Sequence, residues 1–211
     1  MPRSESQFRE MREQARGAIL EAALRVFGEK GFDGATTAEI ATAAGVSKGL
    51  VFNYFPSKDA LLAALIEETL GQALDCWEAA DWTGDPAAQL ARIVDNGVAE
   101  VLRRPDFHRL YFSLVVQPGG SAAVEAATAR LLPRLAAYYG RTTGLMQALG
   151  SDDPESDSRL FQFALNGLAQ TIVVSPGMTS DKAKPVIDKL KARLLAKFVP
   201  AVSAGTRRRR S

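Results

Sequence analysis

The chain has one histidine and one cysteine in 211 residues. His108 alone cannot build a multi-histidine metal site. Cys76 alone cannot close an internal disulfide, which fits a reducing compartment such as the cytoplasm. No His-Glu-x-x-His or Cys-x-x-Cys sequence occurs, and Gly119, Gly120 and Gly144 form no phosphate-loop pattern. Catalytic residues, a metal and a cofactor are therefore not expected. Asp152, Asp153, Glu155 and Asp157 look like a metal cluster at first, but they precede a helix start, where acidic side chains favour the dipole. No apolar run approaches the roughly 18 residues of a membrane span. The N-terminal Met-Pro-Arg-Ser-Glu-Ser-Gln has no apolar core and does not read as a secretory signal. No segment alternates with period two, so no sheet is expected. Excess charge is also small: the net charge is +2.

What the chain does have is apolar residues at helical spacing. Its 46% hydrophobic content is enough for a packed core. The clearest local signals lie between residues 36 and 58. Thr36 can cap a helix, and Glu39 three residues on completes a capping box. Ile40, Ala41 and Ala44 share a face. Gly45 then stands where a left-handed residue is wanted. Ser47 can cap a second helix, which must stop near Phe55 because Pro56 disfavours helical backbone in the residue before it. Two short helices joined by a glycine-containing turn make a helix-turn-helix, whose second helix enters the DNA major groove.

The second helix opens on Lys48, and a lysine there can reach guanine O6 and N7. It can equally be a solvated surface lysine. Gly49 either lets the helix come close to a duplex or merely tolerates its site. Leu50 can touch a thymine methyl or belong to the core. Thr37, Ser47, Tyr54 and Lys58 carry hydroxyls or an amine near helix starts, suited to phosphate. Ile40, Ala44, Val46, Val51 and Phe55 read as core that fixes the angle between the two helices. Positions 1–58 hold eight basic and seven acidic residues, so bulk charge does not drive DNA binding here.

The run Ile40-Ala41…Ala44-Gly45-Val46-Ser47-x-Gly49…Phe52-x-Tyr54-Phe55-x-Ser57-Lys58-x-x-Leu61-Leu62 closely resembles the DNA-binding segment of the TetR family of bacterial regulators. The resemblance covers about residues 15–66. One position departs: Phe52 stands where the family usually has Tyr, which removes a hydroxyl able to bond phosphate. The resemblance places Tyr54 at a backbone-contacting position and raises the expectation for Lys48. Taken together, Thr37, Ser47, Lys48, Gly49, Leu50, Phe52, Asn53, Tyr54 and Lys58 are the expected DNA-binding residues. It further implies a homodimer that pairs through its last two long helices, a palindromic double-stranded operator, and a small-molecule effector whose binding releases DNA.

The rest of the chain reads as helices. A first helix is expected from about Phe8 to Glu29 after a disordered stretch 1–8. Further helices follow to about Ala80, across 90–102, across 107–115, from about Ala122 to Leu149 with a kink at Pro133, across 161–172, and across 186–198. The expected fold is all-α with about nine helices. Residues 1–56 are a three-helix DNA-binding head, and 57–200 a helical ligand-binding and dimerisation bundle. Residues 201–211 are a disordered basic tail, in which Arg207–Arg210 contact DNA or stay solvated. Aromatic residues gather after the head, which suits a largely apolar effector pocket. Tyr111, Phe112 and Asn166 are its candidate contacts, although Asn166 and Gln170 can also bond across a dimer interface. His108 belongs to a helix surface or to that pocket. Three function classes remain open: a repressor released by a hydrophobic effector, an effector-independent or protein-regulated regulator or activator of the same family, and a helical scaffold for protein contacts.

Overall fold

The computed structural model describes residues 5–80, 82–115 and 122–199. They form α1 (Glu5–Gly34), α2 (Thr37–Ala44), α3 (Lys48–Tyr54), α4 (Lys58–Glu78), α5 (Pro86–Arg103), α6 (Pro105–Val115), α7 (Ala122–Ala148), α8 (Pro154–Val174) and α9 (Lys184–Phe198), with a short 3-10 turn at Asp181–Ala183. Among the described residues there is no strand, as the lack of period-two alternation implies. None of these helices is long and apolar enough to cross a membrane. The basic tail with Arg207–Arg210 lies outside the described residues.

Two expected boundaries differ. The first helix starts at Glu5, not near Phe8, so residues 5–8 are helical. Residues 5–14 are all exposed there. The stretch holds opposite charges four apart, Glu5 with Arg9 and Arg9 with Glu13, and Gln14 donates to Glu10 at 3.5 Å. Such pairs support a helix without a buried face. At its other end α1 breaks at Gly31, whose φ of 73° and ψ of 167° leave helical space. A glycine takes this conformation without steric cost. The seventh helix runs from Ala122 to Ala148 with Pro133 inside it.

Cα packing divides the chain into two units, residues 1–80 with 100–136 and residues 81–99 with 137–211. In the first, Ile19, Ala23 and Phe27 of α1 meet Ile40 of α2, Val51 of α3, Leu61, Leu62 and Ile66 of α4, and Phe107 of α6. Each of these is at most 1% exposed. Burying one such large side chain is worth about 1.5–3 kcal/mol. α4 and α6 therefore share one core with the three helices of the head.

In the second unit Leu90 and Val94 of α5, Met146 of α7, and Phe161 and Ile172 of α8 are buried. Phe161 packs edge-on against Phe198 of α9 with ring centroids 5.5 Å apart. Lys191 of α9 pairs with Asp95 of α5 at 2.6 Å. Thr142 and Ser158 share a buried hydroxyl–hydroxyl bond of 2.9 Å between α7 and α8. Asp153 caps α8 by accepting from the Ser156 N–H at 3.2 Å. Its loop is thus a helix start, and among the described residues no group of three acidic, histidine or cysteine side chains could hold a metal.

Candidate nucleic-acid interface

The turn is built by reciprocal local bonds. The Thr36 hydroxyl accepts from the Glu39 N–H at 3.2 Å. The Glu39 carboxylate in turn accepts from the Thr36 N–H at 3.0 Å. Lys30, across the Gly31 break, donates to the same carboxylate at 2.5 Å. The bond from Lys30, then those from Thr36, hold the Glu39 carboxyl down at about 2. α2 ends on Gly45 with φ 68° and ψ 28°. The Val46 N–H then closes back on the Ala41 carbonyl at 3.0 Å, which satisfies a carbonyl the helix would otherwise leave open. Arg25 of α1 donates to the Ala43 carbonyl at 3.1 Å. Ser47 caps α3 by accepting from the Leu50 N–H at 3.2 Å.

These bonds set the phase of α3. Val51 and Phe55 are buried, Leu50 and Tyr54 half-buried. Ser47, Lys48, Gly49, Phe52 and Asn53 are exposed on the other side. Phe52 is 42% exposed, and the Lys48 ammonium lies over its ring, 5.8 Å from the centroid. A large apolar ring beside a cation on an exposed helix face has no role in the core. Thr37 is half-buried at the start of α2. Seven of the nine expected residues, Ser47 to Tyr54 without Val51, thus sit on or beside one short helix. A Cβ at Gly49 would meet only the Ser47 hydroxyl oxygen, at 4.0 Å. The protein's own packing does not require glycine there.

Lys58 is different. Its ammonium donates to the carbonyls of Phe32 at 2.7 Å, Ala35 at 3.1 Å and Asp33 at 3.3 Å, and it lies 4.5 Å from the Phe32 ring centroid. Three donors are all an ammonium has. The phosphate role expected of Lys58 competes with these bonds, which give it a positioning role: it holds the carbonyls at the end of α1 and ties them to the start of α4. The sequence reading also missed Lys30, Arg25 and Arg16, the last of which pairs with Glu68 of α4. Their partners lie 9, 18 and 52 residues away, and no local pattern marks them.

The expected effector contacts fall in both units. Tyr111 and Phe112 are half-buried on α6 in the first unit, with ring centroids 5.9 Å apart. Asn166 is exposed on α8 in the second unit. Helical phase explains this: Phe161, Leu165, Leu168 and Ile172 take the buried side of α8, and Asn166 falls outside it. The buried amide on α8 is Gln162, 8% exposed, which bonds the Tyr138 hydroxyl. Burial pushes that hydroxyl up to about 12. A groove of about 620 Å³ between α1 and α6, lined by Leu24, Phe27, Arg109 and Leu110 among others, includes none of the three.

The family profile described as "Bacterial regulatory proteins, tetR family" matches residues 19–65. That span runs from the first buried residue of α1 through the turn, α3 and most of the buried face of α4. Residues 19–65 are similar to the DNA-binding head of the tetR family. The tetR-type head also has curated relatives. The HTH-type transcriptional repressor AcnR of Corynebacterium glutamicum is 36% identical over 90 residues, which is 42% of this chain and 39% of that protein. The chain spans under half the length of the curated relatives it matches. Solved structures extend the likeness in fold to most of the chain. A transcriptional regulator from Rhodococcus sp. Rha1 superposes with a TM-score of 0.69 at 20% identity, covering 87% of this chain and 95% of that one. The transcriptional regulator FadR from Bacillus subtilis, solved in complex with stearoyl-CoA, gives 0.66 at 17% identity over 85% of this chain and 97% of that one. All-α architecture with a tetR-type helix-turn-helix is therefore shared along the chain.

Proposed function

We propose that this chain is a cytoplasmic DNA-binding transcriptional repressor. It acts as a homodimer, reads a palindromic duplex operator through α3, and leaves DNA when a small, largely apolar effector binds. The observation that carries this reading is the exposed face of α3: Lys48, Gly49, Phe52 and Asn53 project outward while Val51 and Phe55 lock the helix from behind. Lys48 reads a base edge, Phe52 and the bare backbone at Gly49 let the helix seat deeply, and Ser47, Tyr54 and Thr37 position phosphates. In this division residues 1–56 carry DNA contact, and 57–200 carry effector binding and dimerisation.

The dimer is supported by α8 and α9. Leu160, Phe163 and Val174 are 55%, 70% and 58% exposed, and Val186 and Leu190 are 50% and 39% exposed. Phe163, Gly167 and Val174 repeat near helical spacing, so one apolar stripe with a flat centre runs along α8. Stripes of that size on a single chain call for a partner, and a two-fold pair gives two heads for two half-sites. Repression by occupancy follows the function named for AcnR, and an apolar effector follows FadR with its acyl ligand. Release is a population shift, in which the effector prefers the state whose heads do not fit the operator. A gel shift of the full chain against a library of genomic fragments tests the proposal. Retention of discrete fragments supports it, and no retention at low salt removes it.

A further inference from the structure

Among the described residues of the first unit, Oε1 of Glu100 and Nε2 of His108 are buried polar atoms without a hydrogen-bond partner. Buried polar atoms in native proteins are almost always bonded to protein, water or a ligand, so two on one helix face ask for an explanation. They share that face. The Arg104 N–H bonds the Glu100 carbonyl at 3.1 Å and the His108 N–H bonds the Arg104 carbonyl at 3.2 Å. The helical path thus continues from α5 into α6, and residues 100, 104 and 108 stack one turn apart. Arg104 between them is engaged with α4, donating to Gln72 at 2.7 Å and Thr69 at 3.2 Å. The Glu100 side chain is 14% exposed. Its other oxygen is taken by Arg103, so its charge is already offset.

The surroundings of His108 are aromatic. Its ring lies 5.3 Å from that of Phe107, edge-on, and 6.3 Å from that of Phe112. Burial, more than the neighbouring charges, lowers the basicity of the imidazole. The neutral imidazole is thereby favoured, and its Nε2 takes a hydrogen bond in one sense or the other. An ionised carboxylate oxygen only accepts. A hydroxyl answers both, because it donates and accepts. A ligand ammonium would face the cations of Arg103 and Arg104, and a ligand carboxylate would face Glu100.

We propose that Glu100 and His108 are the polar end of the effector site, and that the effector is a hydroxylated aromatic or alicyclic molecule whose apolar body lies against Phe112. This rests on the reading of the chain as an effector-controlled regulator and names the chemistry of its ligand.

The test uses the full chain without DNA, so it does not depend on operator binding. His108 is the only histidine, and histidine labelled with nitrogen-15 therefore gives one pair of imidazole resonances. Phenol, resorcinol and toluene are the probes, since toluene replaces a hydroxyl by a methyl group of similar size. Phenol and resorcinol are expected to shift the imidazole resonances and raise Tm. Toluene should need at least about tenfold more for the same change, the value of one hydrogen bond to a charged group. In Glu100→Gln and His108→Phe, with helicity checked by circular dichroism, the preference for hydroxyl should fall to about twofold or less. Equal response to phenol and toluene would overturn the proposal, as would a preference that survives both substitutions. No response of His108 to any probe would also overturn it, leaving the two atoms satisfied by water alone. Gel shift of the same protein separates this from failure of the regulator reading.

Discussion

The ammonium of Lys58 donates to the Phe32 carbonyl at 2.7 Å, joining two residues that lie 26 apart in sequence. The first residue of α4 is thereby fixed to the chain leaving α1, and with it the base on which the helix-turn-helix sits. Lys58→Ala leaves the carbonyls of Phe32, Asp33 and Ala35 without this donor, two of these bonds being partly buried. Stability should fall by about 1–3 kcal/mol. The salt dependence of DNA binding should not change. A variant with unaltered Tm whose salt slope drops by about one would instead mark a phosphate contact.

Lys48 is the opposite case. Its ammonium lies over the Phe52 ring, 5.8 Å from the centroid, on the exposed side of α3. Lys48→Ala should leave stability within about 0.5 kcal/mol of the parent and weaken specific operator binding by roughly 1–3 kcal/mol, relaxing preference at one base pair. Competition between single-base operator variants measures both effects.

Acid should act on the head through Glu39. Its folded carboxyl is held at about 2, against an ordinary 4.5. A carboxyl with a depressed folded value contributes fully above the ordinary value and loses its contribution as pH falls from about 4.5 towards 2. The group is exposed and screened, so the effect is modest. Thermal melts of the parent and of Glu39→Gln across that window should show the parent losing Tm more steeply. Parallel slopes would mean the Lys30–Glu39 pair does not persist in solution.

Assembly should depend on α8. Phe163 is 70% exposed, so Phe163→Arg costs the monomer's core nothing, and combined with Leu190→Arg it should give monomers that remain helical. Sedimentation analysis at micromolar concentration reads this directly. A parent that sediments as a monomer would remove the dimer.

What was legible in the sequence was local. Thr36 with Glu39, Gly45 and Ser47 are caps whose partners lie within four residues, and each stands where its spacing placed it. The buried side of α3, marked by Val51 and Phe55, follows from the same spacing. Lys58 and Lys30 were illegible because their partners lie beyond the Gly31 break, whose direction no sequence pattern gives. Asn166 is a different case. A polar residue near an apolar stripe can fall on either side of it, and only the packing of Phe161 and Leu165 fixed the phase. His108 was a lone histidine in the sequence. Its significance appears only with the burial of its nitrogen and the matching orphan on Glu100.

The central claim, that α3 reads DNA as one half of a symmetric pair, is tested most directly by selection from a pool of random duplexes with the full chain at moderate salt, followed by the same selection with Lys48→Ala. The expected result is enrichment of an inverted repeat by the parent, with one base pair in each half-site losing its preference in the variant. Recovery of unrelated sequences by both proteins, or an enriched site without two-fold symmetry, would contradict it.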